Sequence, residues 1–260
     1  MKVPPEEILF FGGYDPDYPR NAIIRKGLER LGVSVRQCRA DGMKRAPFRY
    51  PILFARFLAS RKGRSAPVFV PDFRHKDVPL AWLLTRFPRR KLIFDPLVSR
   101  YETRVLDRGD AEEGSTQARY NWNIDRVTMS MADLVLADTE SHAGFYVREF
   151  DVQADKVKTL YLGYDDSVFA KLPERDRDGL FNVLFYGSFL PLHGTDVIVE
   201  AARLLDEGFR FRIVGTGQTM DEFRRKAKEI GGGRLELSGK VPESELPGLI
   251  AQADTCLLYT

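Results

Sequence analysis

The sequence predicts an α/β protein made of two doubly wound, parallel-sheet domains, and three observations predict it. Short apolar runs alternate with helix-period segments along nearly all of the 260 residues, the pattern of strands joined by crossover helices. The alternation breaks once, at Asp165–Gly179, where Asp, Pro, Arg and Lys crowd together and read as a linker. Twice in the second half an apolar strand runs into glycines and then a helix start, at Tyr186-Gly187 through Gly194-Thr195 and at Val214-Gly215-Thr216-Gly217.

Before the break, strands are expected at Ile8–Phe11, Ser34–Cys38, Val68–Val70, Lys91–Phe94, Leu134–Ala137 and Val157–Leu160, short runs bounded by turn residues. Helices are expected between them at Asn21–Leu31, Ile52–Ser60, Val78–Arg86, Gln117–Met131 and His142–Phe150, the first stopped by Gly32. After the break come strands at Val183–Tyr186, Phe211–Val214, Leu235–Leu237 and Thr255–Leu258, with helices at Thr195–Leu205, Met220–Ile230 and Glu243–Ala251. The expected organisation is a first domain over 1–165, a linker over 166–180 and a second domain over 181–260. The chain reaches Thr260 on an apolar strand without a closing helix, so the second domain is expected to be incomplete and the chain a fragment.

Composition narrows the function. Apolar content of 43% and charged content of 30% belong to a globular protein and not to a disordered one. No apolar run is long enough to span a bilayer, and the opening Met1–Glu7 has no signal-peptide core. Cys38 and Cys256 stand far apart and form no CxxC pair, which fits a reducing, cytoplasmic setting and gives no metal or redox motif. The net charge of +3 hides an asymmetry: residues 1–90 hold 19 Lys/Arg against 8 Asp/Glu, and the remainder 21 against 29. The basic half is expected to face something anionic. Its densest stretch, Arg36–Arg64, holds Arg39, Lys44, Arg45, Arg49, Arg56, Arg61 and Lys62, and from Lys44 on interleaves them with Phe48, Ile52, Phe54 and Phe57. It reads either as a core-packed helix whose Arg56 and Arg61 snorkel outward or as a helix touching an anionic membrane surface. No nucleic-acid recognition module is visible.

A strand, a glycine-bounded loop and a helix N-terminus together form a place to hold an anionic group. Two of them in one half point to a nucleotide or phosphorylated ligand. Gly215-Thr216-Gly217 lacks a third glycine, because Met220 stands at that spacing, and so is no dinucleotide fingerprint.

The residues Tyr186-Gly187, His193-Gly194, Thr195-Asp196, Ala201-Ala202, Leu204-Leu205, Ile213–Gly217, Leu237-Ser238-Gly239, Val241, Leu246-Pro247 and Ala253-Asp254 occur in an order and spacing that resembles family 4 glycosyltransferases of the GT-B fold. The first half matches more loosely, through Gly12-Gly13, Asp133–Thr139 and Leu160–Asp165. The resemblance implies a retaining enzyme of the hexosyltransferase type that moves a sugar from a nucleotide-sugar donor to an alcohol acceptor, glycan or lipid-linked, in glycan biosynthesis. It implies an acceptor-side first domain and a nucleotide-sugar-binding second domain, no metal, and the nucleotide-sugar as co-substrate in place of a cofactor. Cytoplasmic placement, with peripheral contact at the inner membrane face through the basic domain, follows from the same comparison and the charge pattern.

On this resemblance the donor-binding residues are Gly12, Gly13, Gly187, Ser188, His193, Gly194, Gly215, Gly217 and Val241. The acceptor-side residues are Arg20 and His75, and the catalytic candidates are Asp95 and His193. Family members place an Arg and a Lys where this chain has Ser188 and His193, so less charge offsets the leaving diphosphate, and the acidic motif that holds donor sugar and ribose would lie beyond Thr260. The chain alone is therefore expected to be inactive. Each site residue also has a plainer reading. The glycines could simply permit turns, Asp95 before Pro96 could be a turn aspartate, and His75 could be a solvated loop residue. His142 reads as part of a helix N-terminal turn. The alternative functions are a non-catalytic glycosyltransferase-like binding protein and a nucleotide-sugar epimerase of the same fold.

Overall fold

The computed structural model describes residues 5–40, 46–59, 65–169, 172, 179–230 and 233–257. The chain divides into two compact units, Met1–Tyr164 and Asp165–Thr260. Each is a parallel sheet, so the α/β class and the paired Rossmann-like architecture are as the alternation predicts.

In the first unit the strands are β1 (Glu7–Gly12), β2 (Ser34–Arg39), β3 (Val68–Val70), β4 (Leu92–Phe94), β5 (Leu134–Ala137) and β6 (Val157–Thr159). They lie in the order β2-β1-β3-β4-β5-β6, all parallel. The winding direction reverses between β1 and β3, the switch point where open α/β sheets take ligands at their carboxyl ends. The helices are α1 (Pro19–Arg30), α2 (Ala46–Ala59), α3 (Val78–Leu84), α4 (Thr116–Met131) and α5 (Glu140–Phe150).

The alternation of strand residues sorts these helices onto two faces. Leu9, Phe11, Val68, Val70, Phe94 and Val135 bury against Leu53 of α2, Ala81 of α3, Met129 of α4 and Tyr146 of α5. Ile8, Phe10, Phe69 and Leu136 face the other way and meet Ile24 and Leu28 of α1. One face thus carries α2 to α5, and among the described helices α1 alone packs on the other. This is the right-handed crossover rule acting on a sheet whose first connection runs opposite to the rest.

Local boundaries differ from the sequence expectation in informative ways. Helix α2 starts at Ala46 and runs through Pro51, where a start at Ile52 was expected, because burial of Leu53 and Arg49 outweighs the one backbone hydrogen bond that Pro51 forgoes. Arg49 is buried, and Arg56 is exposed as expected for a snorkelling side chain. Lys44, Arg45, Arg61 and Lys62 lie outside the described residues. A π-helical turn, Glu102–Asp107, was not legible in the pattern. The linker expected at 166–180 contains a short helix, α6 (Asp166–Phe169), and most of its remainder lies outside the described residues. No helix among the described residues is long and apolar enough to cross a membrane.

The second unit holds β7 (Phe181–Ser188), β8 (Phe209–Thr216), β9 (Leu235–Ser238) and β10 (Thr255–Cys256), in the parallel order β10-β7-β8-β9. Its helices are α7 (Thr195–Leu204), α8 (Met220–Lys228) and α9 (Leu246–Ala251). The helix expected over Glu243–Ala251 begins as a 3₁₀ turn, Glu243–Glu245, before α9. The strand expected to Leu258 ends at Cys256 within the described residues. Phe185, Phe189, Ile213 and Phe223 fill the core, with Phe189 edge-on to both Phe185 and Phe223 at 5.9 and 5.2 Å between ring centres.

At Gly215 φ is 145° and an added Cβ would stand 1.8 Å from the Gly187 carbonyl oxygen. Gly215→Ala is expected to destabilise the protein by more than about 3 kcal/mol, since both backbones would have to move. Gly27→Ala, on a helix face where an added Cβ meets nothing within 4 Å, is expected to stabilise by up to about 1 kcal/mol. Urea denaturation of the two variants beside the wild type checks both signs.

Candidate functional site

In the second unit, in-register parallel pairing brings the strand ends together: Gly187 opposes Gly215, Ser188 opposes Thr216 and Val214 opposes Ser238. Gly187, Ser188, His193, Gly194, Gly215 and Gly217 therefore gather at the neighbouring exits of β7 and β8, and Val241 follows three residues after the end of β9. The two loops brace each other. Phe189 N–H donates to the Thr216 carbonyl at 3.0 Å, and Thr219 N–H to the Phe189 carbonyl at 3.0 Å. A Cβ at Gly217 would stand 2.5 Å from the Phe189 nitrogen. Gly194 takes a left-handed φ of 57° as the cap of α7, and Thr195 Oγ1 lies 3.3 Å from Thr219 Oγ1.

His193 ends the 3₁₀ turn Pro191–His193 and directs Nδ1 at the Ser188 carbonyl. A carbonyl only accepts, so Nδ1 carries the proton and Nε2 is the basic nitrogen of the neutral ring. Toward an anion, Nε2 becomes a donor only in the imidazolium form. Beside the loops, a cavity of about 320 Å³ is lined by Pro191, Thr195, Asp196, Thr219, Glu222, Phe223 and Lys226.

The first unit's sheet edge is built differently. Gly12 and Gly13 leave β1 with Gly12 at φ 134°, and the Gly13 N–H donates to Asp77 Oδ2 at 2.9 Å. Arg49 Nε donates to Asp77 Oδ1 at 2.7 Å, and both side chains are buried. A Cβ at Gly12 would stand 2.8 Å from Asp77 Oδ2, and one at Gly13 2.8 Å from Arg49 Cδ. These glycines make room for an internal ion pair, and the Gly13 amide is engaged by the chain's own carboxylate.

Arg20, in the first turn of α1, meets an anion inside the chain: its Nε donates to Asp95 Oδ2 at 2.6 Å. Its Nη1 donates to the Leu160 carbonyl at 3.2 Å, and its Nη2 has no hydrogen-bond partner among the described residues. Asp95 is fully buried at the exit of β4 and also accepts from Leu97 N–H at 3.2 Å, a turn contact. Burial pushes its carboxyl up, opposed by the Arg20 hydrogen bond.

Asp72, at the exit of β3, was not singled out in the sequence. It is 2% exposed, and its Oδ1 has no partner among the described residues. Burial pushes it up to about 6, with the neighbouring Asn21 amide opposing and the charge of Asp95 adding. The loops after β3 and β4 each hold a bulky residue in the left-handed region, Phe73 at φ 57° and Leu97 at φ 62°. They are joined by Phe73 N–H donating to the Pro96 carbonyl at 3.4 Å. Such backbone strain gathers where a structure is committed to a function.

His75 is not a solvated loop residue. It is 1% exposed, packs edge-on to Phe94 at 5.0 Å, and holds Nε2 3.1 Å from Asp125 Oδ1. Asp125 Oδ2 in turn accepts from Ser99 Oγ at 2.7 Å and Tyr101 N–H at 2.8 Å. His142 sits in the first turn of α5, where its N–H donates to the Thr139 cap at 3.1 Å. Its ring joins Asp138 through Nδ1 and reaches Glu102 Oε1 at 3.3 Å through Nε2. Hydrogen bonds to these two carboxylates raise it to about 10. Tracing an acidic residue to the exit of each apolar strand would have found Asp72 by the same signal as Asp95.

No protein-family model matches the sequence, and no curated protein does. Solved structures share the fold. Sucrose-phosphate synthase of Thermosynechococcus elongatus superposes with a TM-score of 0.67 at 15% identity, over 97% of this chain and 75% of that one. HepE of Anabaena, solved in complex with UDP, gives 0.65 at 14%, over 96% and 73%. The lipopolysaccharide outer core galactosyltransferase WaaB, in its apo form, gives 0.64 at 12%, over 96% and 73%. The chain thus has the GT-B fold of these glycosyltransferases.

Two expectations follow. A carboxyl whose folded-state pKa is raised binds its proton more tightly when folded, so stability falls as pH rises from 3.8 toward about 6. Asp72→Asn is expected to be more stable than the wild type at pH 7, by about 1–3 kcal/mol, with the gain gone near pH 4; urea titrations across that range check it. For His142 the sign is opposite. Its stabilisation is present in full below pH 6.5 and declines as pH rises toward about 10. His142→Phe should therefore cost most near pH 6 and least near pH 10 in the same assay.

Proposed function

We propose that the chain is a retaining, family 4-type glycosyltransferase that takes a nucleotide-sugar on the second unit and an alcohol acceptor on the first. The observation that carries the reading is the braced pair of loops at the β7 and β8 exits. Gly187, Gly194, Gly215 and Gly217 hold backbone close together there, beside the N-terminus of the ten-residue helix α7. That arrangement suits a diphosphate, and the fold likeness to HepE, crystallised with UDP, supports it.

In this reading Ser188 and imidazolium His193 donate to the diphosphate, and backbone at Val241 meets the base. No metal takes part. As the bond from the anomeric carbon to phosphate breaks, the acceptor oxygen bonds that carbon from the same face and its proton passes to the departing phosphate oxygen. Catalysis comes from stabilising the leaving charge. Asp95, paired to Arg20, orients the acceptor side with His75 in a supporting position, and Gly12 and Gly13 approach the donor from the first unit. The acceptor is a glycan or a lipid-linked alcohol and the transferred group a hexose. Peripheral contact with an anionic inner membrane face through α2 is supported by its exposed Phe48, Phe54 and Leu58.

Calorimetric titration with a panel of nucleotide diphosphates and nucleotide-sugars tests the reading. At least one is expected to bind, and His193→Ala should weaken it about ten- to hundredfold through loss of a charge-assisted hydrogen bond. Absence of binding across the panel would sink the proposal. Turnover of any donor, by the wild type or by the Ser188→Arg, His193→Lys variant, would rule out the non-catalytic binding protein.

A further inference from the structure

Between Gly187 and Thr195, and again between Gly215 and Thr219, the sequence holds no Lys or Arg. His193 is the side chain of these two loops that can become a cation. An imidazole changes its charge between pH 5 and 8, so the cation of this site comes and goes with pH, where a Lys or Arg would be permanent.

The packing of the ring fixes which nitrogen exchanges the proton. His193 closes the turn Pro191–His193 and lies edge-on to Phe185 at 6.2 Å between ring centres. It covers Gly187, where an added Cβ would stand 3.8 Å from Nδ1. Nδ1 is committed to the carbonyl of Ser188, the last residue of β7 and the one opposite Thr216 of β8. The ring is thereby anchored to the strand exits themselves. Nδ1–H serves that carbonyl in either charge state, and the proton gained or lost is the one on Nε2.

The neighbouring elements bring their own charges. β7 carries Tyr186, and α7 carries Asp196 in its first turn, exposed to solvent. Glu222 and Lys226 of α8 line the same cavity as Pro191 and Asp196 and pair with each other at 3.0 Å. The β8 loop presents Thr216 and Thr219, which do not titrate. A diphosphate seated at the loops adds unpaired negative charge beside the ring and so favours the imidazolium.

We propose that nucleotide-sugar binding at this site is proton-coupled: as the diphosphate arrives, His193 Nε2 takes up one proton from solvent. This rests on the transferase reading and specifies how its donor step is regulated. By linkage, affinity falls up to about tenfold for each pH unit across which a whole proton is taken up. The donor is held on the acid side of neutrality and released on the alkaline side.

The test titrates UDP-glucose, GDP-mannose and ADP-glucose calorimetrically into the full chain at pH 6, 7 and 8. Each titration is run in two phosphate-free buffers of unlike ionisation heat, whose difference counts the protons taken up. These diphosphates are esterified at both ends and keep a constant charge over that range, so a proton taken up lands on the protein. At least one donor is expected to bind, about tenfold or more weakly at pH 8 than at pH 6, with net proton uptake at pH 7. His193→Lys should give an affinity level across the range and no proton uptake. His193→Gln should also be level, and weaker than the wild type at pH 6. Long-range proton–nitrogen NMR of the histidine-labelled full chain reads the ring directly, with the Nδ1–H tautomer expected in the free protein at pH 8. The proposal is overturned if wild-type affinity is level from pH 6 to 8, or if the pH dependence survives in His193→Lys. It is equally overturned if the free ring at pH 8 carries its proton on Nε2. Binding without pH dependence removes the coupling and leaves the transferase reading standing, whereas failure of all three donors to bind removes both.

Discussion

The first unit depends on the buried ion pair between Arg20 and Asp95. Arg20 enters from the helix after β1, Asp95 from the exit of β4, and the same guanidinium holds the Leu160 carbonyl just beyond β6. One side chain thus ties together three strand exits along the sheet edge. Removing either partner would leave an uncompensated buried charge, a loss of about 3–5 kcal/mol. The strained turns at Phe73 and Leu97 are tolerable because this pair and the Phe73–Pro96 hydrogen bond hold the loops in place.

The two sheet edges are chemically unlike. The first is crowded with buried aspartates, Asp72, Asp77 and Asp95 among them, and its arginines are turned inward. Arg49 pairs with Asp77 and Arg20 with Asp95. Of the basic residues of 1–90 within the described structure, Arg20, Arg49 and Arg90 are buried, whereas Lys26, Arg30, Arg56, Lys76 and Arg89 are exposed. The second edge carries few charges and presents glycines, hydroxyls and one imidazole. An anion that accepts backbone hydrogen bonds suits the second kind of surface better than the first, whose carboxylates would repel it.

Much of the fold was legible because strands announce themselves locally. Val68–Val70 and Leu134–Ala137 are apolar runs whose limits coincide with the folded strands, and Gly194 and Gly215 mark the loops where backbone geometry forbids a side chain. What stayed hidden depends on strand order. Arg49 and Asp77 are 28 residues apart, and Gly13 and Asp77 are 64. Nothing local says that β1 will lie beside β3 and bring them together. The burial of His75 was equally invisible, since its partner Asp125 arrives on α4. Helix α2 continues through Pro51 for a tertiary reason that propensity does not encode.

The Asp77 carboxylate seated against the Gly13 amide makes the first glycine loop selective in a way its composition hides. Any outside anion must displace a competitor fixed to the same molecule, whose effective concentration is about millimolar or higher and which never diffuses away. The same carboxylate is held on its other oxygen by Arg49, so displacing it would also disturb a buried ion pair. The loop acts as a threshold for entry, already answered from within.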